Sequence, residues 1–492
     1  MPTSEASSVA ANAAIAAPLP PSRTARRLLA ALIIIQFFPI PPLPGLGFAP
    51  ENVVFLITGL YMLRPIVRML GRDRRVMQLT ALFLVYALLR MFHNLVHSIA
   101  PIVPFEHFRI VIFILALAQI CADDIMLRKI IKLLLVVAAI QIVFGLLIYV
   151  FGSPFADIRN WMLRVNVYEA FISKGSQLAG LYGPPHIFSY MLAAVPVLSV
   201  TMYLLERRLV WLGWMFLMLL GLFINAERAA MAALAFCTLL LVWKTSRALG
   251  SLLIVAIVGL GLVGVQQVVS YLSVSNEQQP GSAYAHGTLT ERLGETSIEE
   301  IVGRIGYSLG GVSSVLKHPL LGPSRAQYVR EALDKDSGEL LASGEVQGTL
   351  ASHNHYVNIG VNAGVLGWVV AVWFFAILRR MHRISVERYR RNRPAYIRHC
   401  GITLALLAAL MNAFFHNSGV FSPDLMTCLL IGLLIADYRL ALREPQPRGQ
   451  TNEGEANAGE SGENGDRDPP VAPRSGMPDQ PGKRRLVPNP VR

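Results

Sequence analysis

The chain has 492 residues, of which 53% are hydrophobic and only 15% charged, and its mean hydropathy is +0.48. Water-soluble domains carry about 25% charged residues, so an ordinary soluble globule is excluded. Apolar runs close to the ~20 residues that cross a bilayer point instead to an all-α polytopic membrane protein.

Residues 1–27 are rich in Ala, Pro and Ser and read as a disordered tail. Residues 1–22 contain no basic segment, so a cleavable signal peptide is not expected. Nine spans are predicted within 28–270, near 28–48, 50–63, 76–96, 106–122, 131–152, 183–204, 209–225, 228–243 and 248–270. The first contains Pro39, Pro41, Pro42 and Pro44, and the second is short. An 82-residue loop, 271–352, follows with ten acidic and six basic residues. Loops of this length inside compact domains are usually functional. Within it Ile301, Ile305, Leu309, Val312 and Leu316 share one helical face, as in a lid-like helix lying in the membrane interface. Residues 353–440 hold three more spans, near 354–378, 398–416 and 420–438, which makes about twelve. Residues 441–492 contain no aromatic and read as a second disordered tail.

Alternate connections differ sharply in charge. One set carries twenty-five Lys and Arg, from Arg23 to Arg443; the opposite short connections carry five, namely Arg109, Arg159, Arg164, Lys174 and Arg228. By the positive-inside rule both termini are cytoplasmic and the large loop is outside. The net charge of +13 is therefore a topology signal, and nucleic acid is not an expected partner. Cys121, Cys237, Cys400 and Cys428 all fall in apolar runs, which suits neither a disulfide framework nor a thiolate metal motif. There is no internal repeat and no GxxxxGK[ST] loop, which argues against a nucleotide-driven pump.

Histidine gathers on the predicted outer side. His93, His97, His107, His186, His286, His318, His353, His355 and His416 map there, against His382 and His399 inside. The uncommitted alternative is the general preference of histidine for membrane interfaces. His353-Asn354 opens the tenth span, where the Asn side chain can cap free N–H groups. Gly364 and Gly367 about three turns further on allow close helix packing. A histidine held at such a mouth can act as a general base, or be an interfacial cap with no chemistry. Arg228, in Asn225-Ala226-Glu227-Arg228-Ala229-Ala230, sits at the outer edge of an apolar hairpin. Intramembrane arginine is costly and functional by default, although snorkelling is the plainer account. Arg304 is a cation on the lid-like stretch, and His318-Pro319-Leu320-Leu321-Gly322-Pro323 forms a turn after it. His93 and His97 share a helix face without a carboxylate beside them, so no metal site is expected.

Taken in order, Arg228, the long outer loop with Arg304, and His353-Asn354 with Gly364 resemble the O-antigen ligase and polymerase superfamily. The resemblance covers roughly residues 180 to 380. Its His-Asn signature, with a glycine ten residues after the Asn, is met by His353, Asn354 and Gly364. Its arginine-containing segment is matched loosely at Glu227-Arg228-Ala229-Ala230, and its second arginine by Arg304. The His318-Pro319-Leu320-Leu321-Gly322 turn and the Gly183-Pro184-Pro185-His186 entrance to the sixth span also fit, while Pro323 departs from the usual small residue.

The resemblance implies a multi-pass protein of the bacterial inner membrane. It would be a glycosyltransferase taking a glycan from undecaprenyl pyrophosphate to an acceptor hydroxyl at the periplasmic face, inverting, metal-independent and without a cofactor. His353 would be catalytic and Arg228 and Arg304 would hold the pyrophosphate, supported by Asn354, His355, Gly364, His318 and His186. A ligase would use lipid A–core as acceptor, and the reading leans slightly that way. A polymerase would join carrier-linked repeats into O-antigen or exopolysaccharide. A non-enzymatic transporter of lipid-linked glycan is the remaining alternative; crowding of polar residues on one face argues against it.

Overall fold

A computed structural model describes residues 22–38, 50–97, 103–121, 123–152, 155–163, 178–181, 185–225, 227–247, 298–324, 327–328, 354–421 and 424–444. These residues form thirteen α-helices: α1 (Arg23–Phe37), α2 (Pro50–Arg72), α3 (Arg74–Val96), α4 (Val103–Ile120), α5 (Asp124–Phe151), α6 (Phe155–Leu163), α7 (Pro185–Glu206), α8 (Val210–Asn225), α9 (Arg228–Thr245), α10 (Ile298–Lys317), α11 (His355–Arg388), α12 (Arg393–Asn412) and α13 (Leu425–Ala441). Residues 445–492 lie outside the described residues.

The helix starts follow local chemistry. Asp73 accepts the Arg75 and Val76 amides ahead of α3, and Asp123 accepts that of Met126 ahead of α5. Asn392 and Asp424 do the same for α12 and α13. Each supplies an acceptor to amides that have no partner within the helix.

Seven helices among the described residues are long and apolar enough to cross a membrane, and two shorter apolar ones, His107–Ile120 and Val210–Asn225, accompany them. The helical membrane class stands, with seven full-length spans where the sequence suggested about twelve. The expected ninth span, 248–270, lies outside the described residues. Two boundaries are corrected. The first expected span stops at Phe37, ahead of the prolines. The second is not short: α2 continues through Arg64, Pro65 and Arg68 to Arg72. Arginines near a helix end do not terminate it, because their stems follow the apolar surface while the guanidinium reaches water.

Helix α7 lies at the centre, with 83% of its apolar window buried against 28% for α2. It packs on α8, α9 and α12, and α12 packs in turn on α13. Gly401 makes the closest approach: a Cβ there would collide with the Thr201 side chain of α7.

At the end where α12 begins, Asp437 of α13 ties the bundle together. Arg398 Nε donates to its Oδ1 at 2.7 Å, and His399 Nδ1 donates to its Oδ2 at 2.6 Å. Arg398 also reaches Tyr389 and Asp124, and His382 Nδ1 lies 2.9 Å from His399 Nε2. Removing one partner of a buried ion pair costs about 3–5 kcal/mol, since the other charge stays buried uncompensated. Asp437→Ala is therefore expected to lower the thermal unfolding temperature of the detergent-purified protein strongly. His382→Gln, which trims only the far end of the chain, should cost under about 1 kcal/mol. Equal unfolding temperatures for Asp437→Ala and the parent would contradict this account.

Candidate functional site

The opposite end, where α11 begins, holds most of the residues singled out from the sequence. Asn354 caps α11, accepting the amides of Tyr356 and Val357 at 3.0 and 3.3 Å. The helix is not continuous. At Gly364 (φ 65, ψ −165) it breaks, and the Trp368 indole donates to the Tyr356 carbonyl at 2.9 Å. In a straight helix twelve residues span about 18 Å, so residues 355–363 fold back against the longer segment that begins at Val365. The sequence reading of Gly364 as a packing glycine in one long helix is thus corrected, since its backbone conformation is one that essentially only glycine adopts. Gly367 does serve packing: a Cβ there would stand 2.8 Å from that of Ala363.

The break receives the turn after α10. Val365 N donates to the Pro319 carbonyl at 2.8 Å, and a Cβ on Gly364 would lie 2.5 Å from the Leu320 carbonyl oxygen. The turn closes on itself through Gly322 N to His318 O, 3.0 Å, with Gly322 at φ +84. His93 of α3 donates through Nδ1 to Leu321 O at 2.7 Å. The helix expected from the amphipathic period thus exists as α10, and it packs on α11. His318 is half-buried and begins the turn.

Histidines account for much of the remaining frame. Phe421 N donates to His355 Nε2 at 3.3 Å, while the ring's Nδ1 faces Asn417 O at 3.4 Å. His107 Nε2 donates to Phe421 O at 2.9 Å. Both rings are buried and fix the connection between α12 and α13. His355 is accordingly a structural support at this end, which its position beside His353 in the sequence did not reveal. Among the described residues no group of three His, Cys, Asp or Glu is arranged to hold a metal ion.

A second set of bonds fixes the approach to α7. Arg159 Nε donates to Gly180 O at 2.9 Å, Gln141 Oε1 accepts the Leu181 amide at 2.6 Å, and Asn225 Nδ2 donates to Leu178 O at 2.7 Å. Burial pulls the Arg159 guanidinium down to about 10, so it remains a cation at neutral pH. From this frame α7 presents His186, exposed, with Ser189 and Tyr190 below it. Asn412 of α12 donates to Ser189 Oγ at 2.8 Å.

Arg228 is the first residue of α9 and is half-buried. Glu227, before it, makes no capping bond to that helix. Its Oε2 stands 3.7 Å from His416 Nε2. The His416 ring stacks with that of His186 (centroids 6.1 Å apart, 27° between planes) and lies 5.8 Å from that of Tyr190. The next residue, Asn417, accepts from Asn358 Nδ2 of α11 at 2.9 Å. Residues 416–417 therefore join the start of α9 to the start of α11. The structure brings together Arg228, His186, Asn354, His355, Gly364 and the His318 turn at one end. His353 lies outside the described residues, and for Arg304 only its place on α10 is described. Glu227 and His416 carry no motif; the one sequence signal for Glu227 is its place beside Arg228.

Comparison with protein families matches residues 193–372 to the O-antigen ligase family model. That range takes in α7 from its third turn, α8, α9, α10 and α11 past the break. No match is found among curated proteins.

Proposed function

From the match of residues 193–372 to the O-antigen ligase family model, we infer that this chain belongs to the O-antigen ligase-related superfamily. From that premise we propose a membrane glycosyltransferase that moves a glycan from undecaprenyl pyrophosphate to an acceptor hydroxyl, at the periplasmic face of a bacterial inner membrane. The observation that carries the reading is the 416–417 junction, which links the start of α9, where Arg228 stands, to the first turn of α11, which Asn354 caps.

In this mechanism Arg228 and Arg304 hold the donor pyrophosphate. Guanidinium groups give planar, charge-assisted pairs with phosphate oxygens, and they neutralise the charge that grows on the leaving group. His353 accepts the proton of the acceptor hydroxyl. The acceptor oxygen then attacks the anomeric carbon from the side opposite the pyrophosphate, the carbon–oxygen bond to phosphate breaks, and the configuration inverts. General-base help of this kind is worth roughly 10²–10⁴-fold. The α10 helix, which bears Arg304, is followed by the turn that docks on α11 at the Gly364 break. The turn that docks at the break is bonded to His93 in the last turn of α3.

The acceptor separates two forms of the activity, and we take lipid A–core as the acceptor. The test is a strain lacking the gene, with its lipopolysaccharide run on a gel and its secreted polysaccharide quantified. Complete core without O-chain, together with polymer retained on the carrier lipid, is the expected result. Core capped by a single repeat, or intact lipopolysaccharide with lost exopolysaccharide, would assign a polymerase instead.

A further inference from the structure

We propose that Glu227 and His416 make docking of the anionic donor proton-coupled: His416 takes up one proton as a diphosphate settles against Arg228. The proposal rests on the reading of Arg228 as a diphosphate ligand.

Three features lead to it. Glu227 adjoins Arg228 in sequence, yet its carboxylate is not spent on capping α9 and faces His416. At 3.7 Å the two side chains are within ion-pair range but beyond an ordinary hydrogen bond, which runs to about 3.2 Å. Both are largely shielded, with side-chain exposures of 8% for His416 and 21% for Glu227. The groups around them are His186 and Tyr190 on α7, Arg228 on α9 and Asp424 at the start of α13, the last close enough to act electrostatically on Tyr190.

The charge count then decides. A diphosphate diester carries two negative charges. Arg228 and Arg304 balance these two, and the Glu227 carboxylate leaves the site with more negative than positive charge. Part-buried like charges at such range strongly favour any group that can become a cation. Histidine is the side chain whose ordinary titration falls in the neutral range, and His416 faces Glu227. A solvent proton adds to its ring nitrogen, the imidazolium pairs with Glu227, and no bond of the donor is made or broken in this step. Departure of the product pyrophosphate returns the proton to solvent.

The experiment uses the full-length protein in detergent, carrying His353→Ala so that the titration of that histidine is removed. The probe is a P1,P2-dialkyl diphosphate, whose two charges stay fixed across the neutral range. Binding is followed by calorimetry in pairs of buffers with different ionisation heats. Uptake of close to one proton per ligand is expected, with affinity weakening about tenfold per pH unit on the alkaline side of the histidine titration. His416→Gln should abolish the uptake and flatten that dependence. Glu227→Gln should bind more tightly at pH 8 and take up less than half as many protons. Binding without uptake in the parent, or unchanged uptake in both variants, overturns the proposal and leaves Arg228 as a diphosphate ligand. No binding at any pH overturns both.

Discussion

Replacement of His353 by alanine is expected to abolish glycan transfer while expression and membrane insertion are retained. The two halves of this expectation have different grounds. The loss follows from the assigned chemistry: without a base the acceptor hydroxyl must attack with its proton in place, at a cost of roughly 10²–10⁴-fold. Retention follows from the bonds that hold the start of α11. Asn354 supplies the cap, and His355 receives the Phe421 amide. Those contacts remain in His353→Ala. His355→Ala should behave in the opposite way, because it empties a buried position packed under Gly419 and releases the α12–α13 connection. Its defect should therefore appear first as a lower unfolding temperature and poorer yield. The check is transfer from a purified lipid-linked donor to acceptor, alongside thermal unfolding of both variants. Wild-type transfer by His353→Ala would remove the proposed base.

The same pair of residues shows what a sequence can and cannot convey. The tendency to cross a membrane is a property of single apolar runs, so the spans near α3, α7, α8 and α9 were legible to within a few residues. The amphipathic period of Ile301–Leu316 gave α10 because its alternation is local. The prolines from Pro39 were run through in the expected span 28–48 although α1 ends ahead of them, and the charge at Arg64 was misread as ending α2, since the packing that carries a helix past it is not encoded nearby. Histidine was the harder case. Nine of them on one side suggested chemistry, but His93, His107 and His355 bond to or receive backbone groups of turns over two hundred or sixty-six residues away. Such roles depend on long-range contacts, as does the approach of His416 to Glu227, and no spacing in the chain announces them.

Gly364→Ala should reduce transfer by about 10²-fold while the protein still inserts, because it dislocates one joint rather than removing a reacting group. Two costs meet at this position. Its backbone conformation (φ 65, ψ −165) is close to forbidden for any residue with a Cβ, which costs about 1–3 kcal/mol. The added methyl would also stand 2.5 Å from the Leu320 carbonyl oxygen and 2.7 Å from its carbon. Both are backbone atoms of a turn that is itself closed by a hydrogen bond and held by His93, so no side chain can rotate away to make room. Either α11 straightens or the turn leaves the break. In both cases α10, and with it Arg304, loses its registration against the start of α11. Gly306→Ala is the matching control on α10, since a Cβ there meets nothing within 4 Å. Transfer assays on both variants, with a disulfide engineered between positions 320 and 365 to report the docked joint, give the decisive comparison. Full activity in Gly364→Ala with the joint still closed would show that the break is not what positions α10; loss of both together, with Gly306→Ala unaffected, makes the glycine ten residues after Asn354 the seat on which the arginine-bearing helix docks.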